Sequence, residues 1–165
     1  MRKREWILCA LAAMIPAQGI FATDFTSTVT APPNKTLNPG DTVTTTGGNG
    51  VVAASGGILN ASGVTITTTG TNGFGAVATG GQLSILNSPV ITHGSGAAGL
   101  ALLPNPPNGS TLTVTGSTVS TTGADAPGIL FRSQTSRGEF NVITLDSTKV
   151  TTQLGNGIQT EAPGT

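Results

Sequence analysis

Few side chains in this sequence are equipped for acid–base, nucleophilic or metal chemistry, and their spacing decides what they can do. His93 is the one histidine and Cys9 the one cysteine among 165 residues. That excludes a multi-histidine metal site, a zinc cluster and a disulfide framework. Gly94-Ser95-Gly96-Ala97-Ala98-Gly99 spells the GxGxxG of dinucleotide-binding loops. The mechanism of that motif needs a helix next, its N-terminus facing a pyrophosphate. The next residues are Leu100-Ala101-Leu102-Leu103-Pro104, which read as a strand closed by prolines. With 24 glycines in the chain the match is a chance one, and no cofactor is expected. The carboxylates downstream of the N-terminal segment are Asp24, Asp41, Asp125, Glu139, Asp146 and Glu161. Glycoside hydrolysis needs two of them facing each other within about 10 Å. Asp125, Glu139 and Asp146 fall at different phases of the repeat that organises the chain. A polysaccharide lyase or hydrolase is therefore the alternative function, and carboxylates gathered on one face would be its mark.

Composition narrows the field further. Thr contributes 29 residues, Gly 24 and Ser 12, while charged residues are 8% and aromatics 4%. Seven basic against seven acidic residues leave no electrostatic footprint for nucleic acid. The 36% apolar content exceeds what a solvated, disordered chain carries.

The N-terminus reads as an address. Met1-Arg2-Lys3-Arg4 is a basic start, succeeded by the apolar run Trp6 to Ile15. The run is shorter than the roughly 20 residues a spanning helix needs and suits a secretory signal peptide. Cleavage is expected after Gly19 or Ala22, so residues 1–22 are assigned to the signal. Removal leaves four basic and six acidic residues, a net charge of −2, and no cysteine.

What must position the remaining side chains is a repeat. Gly-apolar-x-apolar recurs as Gly50-Val51-Val52-Ala53, Gly75-Ala76-Val77-Ala78, Gly99-Leu100-Ala101-Leu102 and Gly128-Ile129-Leu130-Phe131, with a partial copy at Gly157-Ile158. A second column reads Leu59-Asn60-Ala61, Leu83-Ser84-Ile85, Leu112-Thr113-Val114 and Phe140-Asn141-Val142. A third reads Ser62-Gly63-Val64, Ser88-Pro89-Val90 and Ser117-Thr118-Val119, with a looser copy from Ser147 to Val150. Alternation of this kind places one side chain inside and the next outside a strand, and Val, Ile and Thr favour the pleated backbone. Three strands in each unit of about 24 residues fit one coil of a parallel β-helix, with coils stacked about 4.8 Å apart. The expected fold is all-β: a right-handed parallel β-helix of about 4–5 coils over residues 47–165, after a cap or linker at 23–46. Handedness follows the usual chirality of parallel crossovers. Ala, Val, Leu and Ile are expected inside, with Thr, Ser and Asn outside. His93 takes the turn slot held elsewhere by Thr46, Thr69 and Thr122, which predicts a solvated turn residue.

Two later units are longer at one corner, inserting Pro104-Asn105-Pro106-Pro107-Asn108-Gly109 and Ser133-Gln134-Thr135-Ser136-Arg137-Gly138. Loops gathered on one face are where repeat proteins bind partners. The candidate contact residues are therefore Pro104, Asn105, Pro106, Pro107, Asn108 and Gly109, together with Arg132, Ser133, Arg137 and Glu139.

The signal segment, the Thr67-Thr68-Thr69-Gly70 and Ser120-Thr121-Thr122-Gly123 turns, Ala78 to Leu83 and Gly123 to Ile129 resemble the N-terminal part of a type V autotransporter passenger of the pertactin-like group. That resemblance implies export through the periplasm to the outer-membrane surface, an adhesive or scaffolding role, and a host-cell or matrix receptor as partner. It also implies a membrane β-barrel translocator in the full-length protein. No barrel-like series of alternating ten-residue segments is present, and Arg137-Gly138 is followed by Glu139 rather than the aspartate of an integrin-type tripeptide. The reading is thus of a repeat array truncated at its C-terminus, with an open strand edge that favours poor solubility or oligomers. A Thr/Ser-rich secreted stalk is a further alternative, best suited to the proline-broken stretch Thr23 to Thr46.

Overall fold

A computed structural model describes residues 21–132 and 140–161; the expected signal peptide lies outside them except for its last two residues. Seventeen short strands and no helix occupy the described residues. The chain coils into a parallel β-helix in which every turn lays one strand on each of three sheets. Sheet 1 stacks β2 (Val29–Ala31), β5 (Val51–Ala54), β8 (Ala76–Thr79), β11 (Leu100–Leu103), β14 (Ile129–Arg132) and β17 (Ile158–Glu161). Sheet 2 stacks β3 (Lys35–Leu37), β6 (Ile58–Ser62), β9 (Gln82–Leu86), β12 (Thr111–Thr115) and β15 (Val142–Asp146). Sheet 3 stacks β1 (Asp24–Phe25), β4 (Thr42–Thr45), β7 (Thr65–Thr68), β10 (Pro89–Thr92), β13 (Thr118–Thr121) and β16 (Lys149–Thr152). Every pairing between these strands is parallel, which makes five full turns with β1 and β17 beyond them.

The glycine column behaves as its phase predicts. Val51, Ala76, Leu100 and Ile129 lie in one ladder, each paired to the next, and all are buried. The glycine before each lies where a Cβ would strike the carbonyl of the next glycine and a methyl of Ile66, Val90, Val119 or Val150 on sheet 3. Inward residues Leu59, Leu83 and Leu112 from sheet 2 and Val43, Ile66, Val90 and Val119 from sheet 3 complete one continuous core.

Four expectations are corrected. The stretch 23–46, expected as a cap or linker, supplies β1 to β4, and its last three strands make a complete first turn. It lacks the repeat signature because Thr28 precedes Val29 where later turns have glycine, and Lys35 stands opposite Leu59. Lys35 is exposed, its Nζ 5.9 Å from the centre of the Phe25 ring, and Phe25 packs against that end of the core. Second, the fourth copy of the Leu column is Ile143-Thr144-Leu145, paired to Leu112-Thr113-Val114, rather than Phe140-Asn141-Val142. The shift is odd, so it turns Val142 outward and leaves Phe140 82% exposed. Third, Ser62 is two residues out of phase: β7 pairs to β10 through Ile66 and Val90, which sets Val64 beside Ser88.

Fourth, hydroxyl side chains are not confined to the outside. At the corner from sheet 2 to sheet 3 the Val64 N–H donates to Ser88 Oγ (3.0 Å) and the Ser88 N–H to Ser117 Oγ (3.1 Å). Each hydroxyl in turn donates to a carbonyl two residues back, at Leu86 and Thr115. Where sheet 3 ends, the inward Thr68, Thr92 and Thr121 are fully buried and donate to Gly73, Ala97 and Ala126 carbonyls at 2.7, 2.9 and 2.8 Å. Corners turn the backbone away from its own ladder, and buried carbonyls left unpaired there cost about 1–3 kcal/mol each. A short hydroxyl reaches them, which accounts for the many phased Thr and Ser. Gly40, Gly63, Asn87, Gly116 and Ser147 form a further corner column, all left-handed with φ between 48° and 92°.

Candidate partner-binding surface

The outer face of sheet 1 differs from the other two. The second residue of each strand points outward, and from β5 to β17 these are Val52, Val77, Ala101, Leu130 and Gln159, paired in one ladder. Val77, Ala101 and Leu130 are nonetheless buried, in a small apolar cluster with Ala98 that Val52, Phe74 and Leu103 pack against. The connection from sheet 3 back to sheet 1 carries Phe74 and Ala98, the residues just before the column glycines, and packs them over the outer face of the sheet. Apolar outward residues on sheet 1 thus replace the polar exterior expected of every face.

Towards the later turns this cover thins into a furrow of about 480 Å³ across sheet 1. Phe74, Pro127 and Leu130 supply its apolar lining; Asn72, Gly96 and Asp125 come from the sheet 3 to sheet 1 corner; Arg132, Gln159 and Glu161 come from β14 and β17. Asn72, Gly96 and Asp125 are all left-handed (φ 57°, 67° and 53°), which brings equivalent residues of successive turns to one rim. A second hollow of about 530 Å³, lined by Asp125, Gln153, Asn156 and Gln159 among others, shares two residues with the first and extends it.

The Glu161 carboxylate is held from both sides. Arg132 Nε donates to Oε2 at 2.5 Å and Gln159 Nε2 to Oε1 at 3.0 Å. Register explains the ion pair, since Arg132 and Glu161 are direct ladder partners on one face. The pair is partly solvated, with 45% and 34% of the two side chains exposed, so it contributes little stability.

The predicted contact residues divide. Pro106, Pro107, Asn108 and Gly109 are exposed, whereas Pro104 and Asn105 are half-buried. The loop does not simply project: Asn105 Nδ2 donates to the Thr79 carbonyl at 3.1 Å, against the preceding turn, and the Asn108 N–H closes on the Asn105 carbonyl at 3.0 Å. Arg132 lines the furrow. Ser133, Arg137 and Glu139 lie outside the described residues. Sequence reasoning missed Phe74, Asn72, Gln159 and Glu161, and it separated Asp125 from its fellow carboxylates because it compared Asp125 only with Glu139 and Asp146. The readable signal was the residue before each column glycine, where Phe74 and Pro127 interrupt an otherwise small or amide series.

Other candidates resolve into structure. Asp41 is buried, its two carboxylate oxygens accepting from the Thr23 and Asn38 N–H groups at 2.7 and 2.8 Å. His93 is an exposed turn residue whose Nδ1 lies 2.8 Å from Thr122 Oγ1. The GxGxxG segment leads into β11 and not into a helix. Among the described residues, no three His, Cys, Asp or Glu side chains group as a metal site. Comparison of the chain with protein-family models, curated proteins and solved structures gives no match.

Proposed function

We propose that this chain is an exported β-helical passenger that serves at a cell surface as an adhesive or scaffolding module of autotransporter type. The observation that carries the reading is the stack of five in-register turns, with the longer connection Pro104 to Gly109 at a single corner, from sheet 1 to sheet 2. A stiff ladder holding variable loops at one edge is suited to presentation. The basic start and the short apolar run after it support export, and the nearly uncharged Thr/Ser exterior of sheets 2 and 3 supports a surface without affinity for polyanions.

The test is to express the full-length gene in a Gram-negative host, then fractionate the cells and treat intact cells with protease. The expected result is a protease-accessible, outer-membrane-associated product whose N-terminal residue is Ile20 or Thr23. A cytosolic product retaining residues 1–19 would refute the reading.

One observation favours a second reading, a carbohydrate-active enzyme: Asp125, Glu161 and Arg132 line the same furrow. Against it, both Glu161 oxygens are already engaged by Arg132 and Gln159. Release of reducing ends or unsaturated sugars from a polysaccharide panel, abolished by Asp125→Asn, would establish the enzyme in place of the passenger.

A further inference from the structure

The furrow across sheet 1 has a composition unlike the rest of the surface. Elsewhere the outward residues are predominantly Thr, Ser and small apolar side chains. Of the three described glutamines, Gln82, Gln153 and Gln159, two line the paired hollows, where Asn72, Asn156 and Asp125 join them. Each of these planar groups presents donors, acceptors or both at fixed angles. Between them lies the apolar strip of Phe74, Pro127 and Leu130.

Charge and topology limit what fits. Arg132 and Glu161 neutralise each other, which leaves Asp125 as the one uncompensated charge among the described residues that line the furrow, and these give no attraction for polyanions. An extended peptide binds sheets by adding a strand to an unpaired edge. Here the strands that line the furrow are β14, paired on both sides, and β17, which ends the sheet among the described residues, and both contribute through side chains on the outer face. Ladder N–H and C=O groups point within the plane of the sheet, so a ligand lying on its outer face is read by side chains.

We infer that the furrow is a binding site for a neutral oligosaccharide segment, with Phe74 and its apolar neighbours against the C–H face of a sugar ring and the amides on its hydroxyls. The electron-rich face of an aromatic ring attracts the weakly positive C–H groups of a pyranose. Glu161, oriented by Arg132 and Gln159, adds an acceptor, and the Arg132 terminal nitrogens, unused in the Nε contact, add donors. The volume lies within the range of small-ligand sites. The inference deepens the adhesive reading and rests on it for its biological setting, but its test uses purified chain and does not depend on export.

The test is native electrophoresis of the chain through gels cast with hydroxyethylcellulose, galactomannan, dextran or, as a polyanion, alginate. Retardation is expected in at least one neutral gel and not in alginate. Phe74→Ala and Gln159→Ala should each weaken it about tenfold, the loss of one anchoring side chain, while Thr113→Ala on the outer face of sheet 2 should leave it unchanged. If Phe74→Ala fails to give a β-sheet circular dichroism spectrum, Gln159→Ala alone decides. Absence of retardation in every neutral gel, retardation in alginate instead, or retention of full retardation by Gln159→Ala would each overturn the assignment. A chain that is exported and displayed yet passes every neutral gel freely would sink this site and leave the passenger reading standing.

Discussion

The glycine column offers a sharp test of why the repeat has the residues it has. In Gly99→Ala the added Cβ would lie 2.9 Å from the Gly128 carbonyl oxygen, 3.3 Å from Thr121 Cγ2 and closer still to Val119 Cγ1. These neighbours are backbone or stiff β-branched side chains inside a packed core, so relief requires moving one turn against the next. Overpacking of this kind costs about 1–3 kcal/mol. The alanine also removes freedom from the unfolded chain, which returns about 0.4–1 kcal/mol. Gly47→Ala is the matched control: the same atoms are added, no positive φ is involved, and a Cβ there meets nothing within 4 Å. The unfolded-state gain is common to both variants, so their difference isolates the packing term. With a urea slope of about 2 kcal/mol/M, the Gly99→Ala midpoint should fall about 0.5–1.5 M below that of Gly47→Ala. Far-UV circular dichroism at increasing urea reads both midpoints. Coincident midpoints would refute the claim that the glycines are there to let turns approach.

The corner and rim contacts carry two further expected outcomes. Thr121→Val keeps shape but leaves the Ala126 carbonyl without its 2.8 Å donor, so stability should fall by about 1–3 kcal/mol, whereas Thr151→Val on the exposed side of the neighbouring strand should stay within about 0.5 kcal/mol; urea denaturation separates them. Arg132→Ala should cost less than about 1 kcal/mol in the same measurement, because its ion pair with Glu161 is partly solvated.

Much of the architecture was legible because a repeat repeats its constraints. The glycines at 50, 75, 99 and 128 marked the phase of sheet 1 correctly, since each answers the same steric demand from sheet 3. Phase was lost where a position has two chemical solutions. Val64 and Ser88 occupy equivalent corner sites, one apolar and one hydrogen-bonding, so matching serines to serines misplaced Ser62. Phe140 resembled a core residue by type, although the ladder begins only after Asn141, whose Oδ1 accepts from the Ser110 N–H at 2.9 Å. The furrow was the least legible part. It depends on the connection from sheet 3 folding over sheet 1, a tertiary event that alternation along a strand does not encode.

The uniform parallel ladder also sets how the molecule answers a mechanical load. The ladder bonds of each turn run only to the turns before and after it, with 24 residues between Ala76 and Leu100 and 29 between Leu100 and Ile129. Tension on the two ends therefore loads one rung at a time at the terminal turn, instead of shearing many rungs together. When a turn detaches it exchanges a rise of about 4.8 Å for about 80–100 Å of extended chain. A rod built this way behaves as a reel: it yields in discrete steps, lengthens many-fold, and leaves the turns behind the break intact to rewind.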